Sequence, residues 1–565
     1  MAPQSKKRPI AGGGQDEDNH GKAMDSHSKK RRIAGGGDGE DRISELPDDL
    51  LGHILSFLPN NVAARTAVLS RRWRYIFAYV HTISFEEEEG EREDDWITLF
   101  SDAEEKKSMS RKLLDQMNAA LLCRRRCAGR HVPLRSFHFA FDSYHQWDRV
   151  IVDAWVNYVV RHSSQELHLD LRFWIGPICG GGGGERHRFS TIVDSEPLLP
   201  GLIYDLPRSL YSCVALQTLC LTYCDLNLPE SIDLPFLKTM RLTGIHGSGS
   251  RIQRLISSCP RLADLTLEAL GQLKTLSLLD KGLRSFALLC CHNVDSVAID
   301  ASELTTIAYR GTVPDDPSYA FSMLGSPAMS SCTVDFCSKE LITSEEEFDS
   351  MRRFLAMFAG STHLHLESDR LGSCIDSDLF PAAGFRTFTN LRRLELTGHV
   401  PDCGVAIAVR RILEMTPNLE SLTLFLKPEK CNSTYCDSES DGSSDSGYIS
   451  HSDDDDDTDV DDYSSNIGYN SHCDEDSDDS EEDSYPAVAS FSAIRCLRRR
   501  VREINLVHYK ADDGQATLAR LLLSNALVLQ RVCVVLTRDG LGMQRSKERR
   551  IKRWMVSRSA KAVFL

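Results

Sequence analysis

Apolar residues between positions 42 and 80 recur at steps of three and four, the spacing of one face of an α-helix. Pro47 and two acidic residues suit the start of the first helix, and Pro59 ends it. Two further short helices follow, with Asn61 and Ser70 as their predicted caps. Three such helices cannot enclose a core, so they must share apolar surface with the rest of the chain or with a partner. The apolar side of the first helix is predicted to comprise Leu50, Leu51, Ile54, Leu55 and Leu58.

A second pattern, L-x-x-L-x-L with other apolar residues allowed, recurs along the middle of the chain. Its first five copies begin 21, 25, 21 and 21 residues apart, within the range of leucine-rich repeats. Weaker copies begin at Leu273 and Val294, midway between strong ones, and predict strands on the opposite flank of the coil. Since one repeat alone would expose its apolar row, the repeats must stack into a solenoid. The strong copies begin at Leu216, Leu237, Leu262, Leu283, Leu304, Leu391 and Leu419.

The interval 310–390 breaks this period and predicts instead a helix over 341–358 and a short strand at 364–366. Farther on, residues 502–536 read as strand, helix and strand, and 545–558 as a basic capping helix. Cys224 and Cys291 stand where leucine-rich repeats place Asn or Cys to bond the turning backbone. The later repeats are therefore predicted to be longer and richer in helix.

Two charged segments lack any apolar period and are predicted to be disordered. Residues 1–41 carry a basic cluster twice, each followed by Ile-Ala-Gly-Gly-Gly. Residues 431–494 contain no Lys or Arg, and 20 acidic residues lie between Asp437 and Asp483, so this segment contributes −20 to the net charge of −16 and everything else +4. The basic clusters suit the acidic groove of a nuclear import receptor through Lys6, Lys7, Arg8, Lys29, Lys30, Arg31 and Arg32.

Leu46-Pro47, the run 54–59 and the run 65–74 closely resemble the F-box in the form found in plants. This resemblance implies that the helices bind the Skp-family adaptor of a cullin–RING ubiquitin ligase, while the rest of the chain holds a protein substrate. The residues it implicates in adaptor binding are Leu46, Pro47, Leu50, Leu51, Ile54, Leu55, Leu58, Val68, Leu69 and Trp73.

The end of the chain, including Asn525-Ala526 and the tail from Ser557, resembles the FBD region of plant F-box proteins with leucine-rich repeats. The predicted fold class is α/β: a three-helix F-box followed by a solenoid of parallel strands and short helices. The predicted segments are a disordered arm (1–41), the F-box (42–80), the solenoid with its entry helices (81–430), a disordered acidic loop (431–494) and FBD-like terminal repeats (495–565).

The solenoid predicts a broad concave face as the default site of substrate recognition. Residues between the leucines of each repeat are expected to point outward there. The cations among them, with few acids expected nearby, predict a partly acidic partner surface. These candidate substrate-binding residues are Lys238, Arg284, Arg392 and Arg393.

Catalytic and cofactor motifs are absent from the sequence. The glycines 180–184 neither follow a clear strand nor open a helix, and no HExxH or G-x-S-x-G appears. The 18 cysteines show no zinc spacing and read as reduced, mostly buried thiols, so neither cofactor nor metal is expected. No apolar stretch could span a membrane, and the polar, basic start predicts no secretory signal.

Two functions from different classes compete. The first is a substrate-recognition subunit of a Skp–cullin–F-box ligase, not itself an enzyme, located in the nucleus and also in the cytoplasm. The second is a nuclear protein-binding scaffold or histone-type chaperone that uses the acidic loop and has no ligase role. The large acidic block argues against nucleic acid as the partner.

Overall fold

The structure is a computed structural model. It describes residues 43, 45–86, 103–126, 134–141, 148–171, 203–325, 329–337, 345–371, 387–401, 404–427, 494–537 and 541–565. The arm at 1–41, the glycines 180–184 and almost all of the acidic segment 431–494 lie outside these residues. Within the part that is described, no helix is both long and apolar enough to cross a membrane.

The predicted N-terminal helices are present as α1 (Asp48–Leu55), α2 (Asn60–Arg65) and α3 (Trp73–Ile76). Single 3₁₀ turns, Thr66–Val68 and Phe77–Tyr79, follow α2 and α3. Asn61 is not the cap of α2, because the helix already begins at Asn60, directly after Pro59. The Ser70 hydroxyl does accept a bond from the Trp73 amide, at 3.4 Å, close to the predicted position.

Fifteen parallel strands form one main sheet, in which nearly every strand lies beside the next repeat along the chain. A three-stranded sheet and a two-stranded sheet accompany it among the described residues. In chain order the strands are β1 (Thr82–Glu86), β2 (Ser136–Ala140), β3 (Glu166–Asp170), β4 (Tyr204–Asp205), β5 (Thr218–Thr222), β6 (Cys224–Asp225), β7 (Thr239–Thr243), β8 (Asp264–Glu268), β9 (Thr275–Leu278), β10 (Ser285–Leu289), β11 (Ser296–Asp300), β12 (Thr306–Gly311), β13 (Phe321–Leu324), β14 (Ser331–Phe336), β15 (His363–Arg370), β16 (Arg393–His399), β17 (Ser421–Leu426), β18 (Glu503–Tyr509), β19 (Arg531–Leu536) and β20 (Lys561–Phe564).

Helices connect many of these strands, as expected where a chain returns to start a parallel strand. The remaining helices are α4 (Ala103–Arg126), α5 (Arg149–Arg161), α6 (Gly249–Ser257), α7 (Pro317–Ala320), α8 (Glu345–Ala356), α9 (Val405–Glu414), α10 (Arg495–Arg499), α11 (Asp513–Asn525) and α12 (Leu541–Trp554). The basic helix predicted over 545–558 is confirmed over its first ten residues as part of α12, which begins earlier, at Leu541, and ends at Trp554.

The leucine pattern dictates the main sheet. In β5, Leu219 and Leu221 are completely buried while Thr218 and Cys220 are only half-buried, and most other strands repeat this alternation. The leucines of neighbouring strands are in register, Leu219 beside Met240 and Leu221 beside Leu242. This arrangement confirms the predicted solenoid of parallel strands and short helices.

The two weaker copies form β9 and β11, which pair with each other and, through β11, with the unpredicted β13 in a sheet separate from the main sheet. The prediction of strands at the weaker copies is therefore confirmed, and they belong to a sheet other than the main one. The predicted turn cysteines also behave as expected, since the Cys224 thiol lies 3.4 Å from the Thr222 carbonyl and the Cys291 thiol 3.4 Å from the Leu289 carbonyl.

The helix and the short strand predicted within 310–390 are confirmed as α8 and β15. Strand β14 was not predicted, and together with β15 it continues the main sheet through this interval. The apolar positions of the β14 repeat are Met329, Cys332 and Val334, and all three are buried. The leucine pattern did not predict this repeat because Met and Cys replace its leucines.

The sheet also continues across the acidic segment. Strand β17, which ends at Leu426, pairs directly with β18, which begins at Glu503. Of the described residues between these two strands, Arg495–Arg499 form α10.

Candidate functional site

The apolar residues of α1 divide between two environments. Leu51 and Leu55 are 1% and 2% exposed, whereas Ile54 is 47% exposed and Leu50 is similar. The buried pair belongs to a small core with Ala63, Ile76 and Ala78, all of which are fully buried. This core explains how three short helices hold together, and it leaves the other apolar side chains of α1 uncovered.

Gly52 is required by the close approach of α1 to the 3₁₀ turn at Phe77–Tyr79. A Cβ atom at Gly52 would lie 2.4 Å from the Cβ of Tyr79 and 2.5 Å from its carbonyl oxygen. Such contacts are impossible without a shift of the backbone. The helix can therefore reach this position only because residue 52 has no side chain.

Polar contacts fix the same helices relative to one another. The Arg72 guanidinium bonds Asp48 at 2.7 Å, which ties the start of α1 to the start of α3. The Ser56 hydroxyl donates to the Gly52 carbonyl at 2.8 Å and accepts from the His81 amide at 3.0 Å. Burial, and then the neighbouring His53, lower the pKa of His81.

The helices are also joined to the first strand of the sheet. The Asn60 amide donates to the carbonyl of Ser84 in β1. Arg124 of α4, almost completely buried, donates to the carbonyl of Val80 and, at 3.0 Å, to the Tyr158 hydroxyl of α5. The helical unit is thus built onto the start of the solenoid.

Eight large apolar side chains are exposed on this short unit, more densely than anywhere else in the described chain. Phe57 is 76% and Val68 86% exposed. A concentration of exposed apolar surface on a folded unit indicates a site for another protein. These residues, named here the apolar surface, are Leu50, Ile54, Phe57, Leu58, Val62, Val68, Leu69 and Tyr75.

The sequence-based adaptor-binding set needs one correction. Leu51 and Leu55 cannot contact a partner while they form the internal core, so their role is to hold α1 in place. Trp73 is half-buried, and Leu46 and Pro47 lie in the described stretch just before α1. The set omitted Phe57, Val62 and Tyr75, although Phe57 follows Ile54 by three residues and the helical spacing could have revealed it.

The candidate substrate-binding cations lie along the N-terminal ends of the strands of the main sheet. Each lies at the start of a strand. The backbone carbonyls of Lys238, Arg284 and Arg392 each accept two N–H bonds from the next repeat, at 2.8 to 3.0 Å. Their side chains are exposed. Strands are about 4.8 Å apart, so Lys238 and Arg284, separated by one intervening strand, are about 10 Å apart. We name this row of strand starts the rim.

The expectation of few acids beside these cations is wrong. The Arg392 guanidinium pairs with Glu420, the next rim residue. Glu395 lies on β16, the same strand as Arg393. Asp264 is the first residue of β8, which lies between the strands that follow Lys238 and Arg284. Glu420 occupies the same position in its repeat as Arg392 does in the preceding one, so the rim carries charges of both signs.

Comparison with known proteins gives the class of this chain. Residues 43–82 match the F-box domain family, and residues 193–327 match the LRR repeats of the FBD-associated F-box protein At5g56370. The apolar surface lies wholly within the first match, and β5 to β13 within the second. The chain therefore combines an F-box with leucine-rich repeats.

Three relatives from Arabidopsis thaliana show the same combination in their names. The F-box/FBD/LRR-repeat protein At5g22660 is 27% identical over 69% of this chain and 78% of its own length. The F-box/LRR-repeat protein At4g14103 is 30% identical over 40% of this chain, which spans about half (49%) of that relative. The putative F-box/FBD/LRR-repeat protein At5g22670 is 30% identical over 52% of this chain and 57% of its own. The resemblance to plant F-box proteins with leucine-rich repeats is thereby confirmed.

Proposed function

We propose that this chain is the substrate-recognition subunit of a Skp–cullin–F-box ubiquitin ligase. An F-box followed by leucine-rich repeats supports a substrate-adaptor role in general terms. The single observation that carries the finer proposal is the apolar surface, which is exposed on helices that bury a separate set of apolar side chains.

The Skp-family adaptor covers the apolar surface in this proposal. Each large apolar side chain that becomes fully buried contributes about 1.5 to 3 kcal/mol, so a few well-buried anchors suffice for a stable interface. Leu50, Ile54 and Phe57 project from α1 and the turn that follows it, while Val68 and Leu69 follow α2. The buried Leu51 and Leu55 hold α1 against the turn at residues 77–79, which presents these anchors on a rigid support.

In this proposal the chain positions the target protein and does not itself catalyse the transfer of ubiquitin. An adaptor at the helices and a target on the repeats would bring the target within reach of a ubiquitin-carrying enzyme, and proximity alone accelerates such a transfer. The rim and the side chains beside it are the proposed target surface, because their backbones are held by the hydrogen-bond ladder between repeats. The alternative of a chaperone or scaffold depends on the acidic segment and leaves the apolar surface without a role.

Nuclear location remains part of the proposal. It depends on the two basic clusters within residues 1–41, which suit an import receptor. Replacing Lys6, Lys7, Arg8 and Lys29 to Arg32 by alanine in a fluorescent fusion should move the protein to the cytoplasm.

The apolar surface is tested by Ile54→Asp in the full chain, with binding of a purified Skp-family adaptor measured by calorimetry. An unpaired carboxylate buried in the interface should weaken binding by about 3 kcal/mol or more, roughly a hundredfold in Kd. Because Ile54 is exposed in the chain alone, the melting temperature should not change.

Val150→Asp is the matched control. Val150 is an exposed branched residue on α5, outside the apolar surface, so this variant should bind the adaptor like the wild type. Equal adaptor affinity for wild type and Ile54→Asp would refute the proposal.

A further inference from the structure

Three metal-ligating side chains that are far apart in sequence meet at the ends of two strands. Cys290 directly follows β10 and Cys337 directly follows β14, and their sulfurs are 3.8 Å apart. His292 completes the group, since one donor atom from each residue lies within 4.8 Å of the other two. Strand β12 lies between β10 and β14 in the main sheet.

The repeat itself creates this arrangement. Cys291 is the turn cysteine, and its thiol bonds the Leu289 carbonyl inside the solenoid. Cys290 and His292 flank it, and Cys290 adopts a left-handed backbone conformation with φ of 52°. The amide of Cys290 donates to the Arg310 carbonyl at 2.6 Å, and that of Cys337 to the Gly311 carbonyl at 3.0 Å. Both cysteines are therefore held to neighbouring residues of β12.

The sulfur separation fits a shared tetrahedral metal ion. Zinc binds thiolates at about 2.3 Å, and two ligands at that distance in a tetrahedron are about 3.8 Å apart. A disulfide fits less well, because it needs Cα atoms about 4.4 to 6.8 Å apart. The backbones of β10 and β14, separated by β12, are roughly 9 to 10 Å apart, which is too far for that bond.

We propose that Cys290, His292 and Cys337 bind one zinc ion, with water or a group from a bound partner as the fourth ligand. Two thiolates and one imidazole are the ligand types that zinc prefers. Binding would release the two thiol protons, and the two thiolate charges would balance the charge of the ion. The nearby Arg310 does not leave an excess positive charge, because its guanidinium pairs with Asp335 at 2.9 Å.

The exposed position of His292 leaves the site open to solvent, while Cys290 is buried. The ion would join the turns after β10 and β14. It would thereby hold three neighbouring repeats together at the C-terminal ends of their strands. This inference does not depend on the proposed ligase role.

The test uses the full chain, reduced, stripped of metal with a chelator and titrated with Co²⁺ as a spectroscopic substitute for zinc. The wild type should take up one Co²⁺ with the charge-transfer and d–d absorption of a tetrahedral thiolate site, and added Zn²⁺ should displace it. Cys337→Ser should lose this absorption, and His292→Ala should bind at least about tenfold more weakly.

Cys533→Ser is the matched control, since Cys533 is a half-buried cysteine on β19 outside the group, and it should bind like the wild type. Circular dichroism of the metal-free proteins checks the fold. His292→Ala keeps the test decisive if Cys337→Ser misfolds, because His292 is exposed. Identical Co²⁺ uptake and spectra for wild type, His292→Ala and Cys337→Ser would overturn the proposal. So would a wild type that takes up no Co²⁺ and yields a Cys290–Cys337 disulfide when oxidised.

Discussion

The N-terminal helices and the main sheet use the same apolar residue types in opposite ways. In the sheet, leucines such as Leu219 and Leu242 are completely buried, and polar residues alternate with them. In residues 48–79, only a small core is buried, and large apolar residues such as Phe57 remain exposed. Apolar residues of the sheet therefore stabilise this chain, whereas many of those on the helices remain exposed to solvent.

Removing a buried leucine from the sheet should have the largest effect on stability. Leu242→Ala leaves a cavity in the core beside β7 and should lower the free energy of unfolding by about 2 to 5 kcal/mol. Ile54→Ala, of comparable size change but exposed, should alter it by less than about 0.5 kcal/mol. Chemical denaturation followed by circular dichroism compares the two. Similar losses for both variants would remove the distinction between the two regions.

A smaller effect on stability is expected at Gly52, on the helix that carries both buried and exposed apolar residues. Gly52→Ala forces α1 away from Tyr79 and should cost about 1 to 3 kcal/mol, while also weakening adaptor binding. Gly360→Ala is the control, because a Cβ atom there meets nothing within 4 Å. If Gly52→Ala matches Gly360→Ala in both stability and adaptor affinity, the packing of α1 does not support the apolar surface.

The smallest effect on stability is expected at the rim. Lys238→Glu combined with Arg284→Glu should change unfolding by less than about 0.5 kcal/mol, because both side chains are exposed. The double variant should nevertheless lose targets in proximity labelling, while the control Lys510→Glu with Arg545→Glu, also exposed but off the rim, should keep them. An unchanged set of targets in the rim variant would move the target surface elsewhere on the repeats.

Sequence pattern predicted the solenoid well because burial of the repeated leucines dictates it. The same reasoning predicted the second sheet from Leu273 and Val294, whose copies are weak but correctly spaced. It failed at β14, where Met329 and Cys332 fill core positions as well as leucine does. It also missed β1, whose alternation of Ile83 and Phe85 is too short to stand out.

The candidate sites were harder to predict because exposure depends on tertiary packing. Leu50 and Leu51 are adjacent on one helix, and only the position of the turn at residues 77–79 decides which of them is buried. The grouping of Cys290 with Cys337 depends on the order of strands, which no spacing along the chain reveals.

Hydrogen–deuterium exchange of the full chain with and without a purified Skp-family adaptor tests the central claim most directly. Binding to the apolar surface should protect amides in peptides covering residues 48–80 and leave those of β5 to β20 unchanged. Protection confined to the sheet, with none in residues 48–80, would contradict the assignment of the helices to the adaptor and of the sheet to the target.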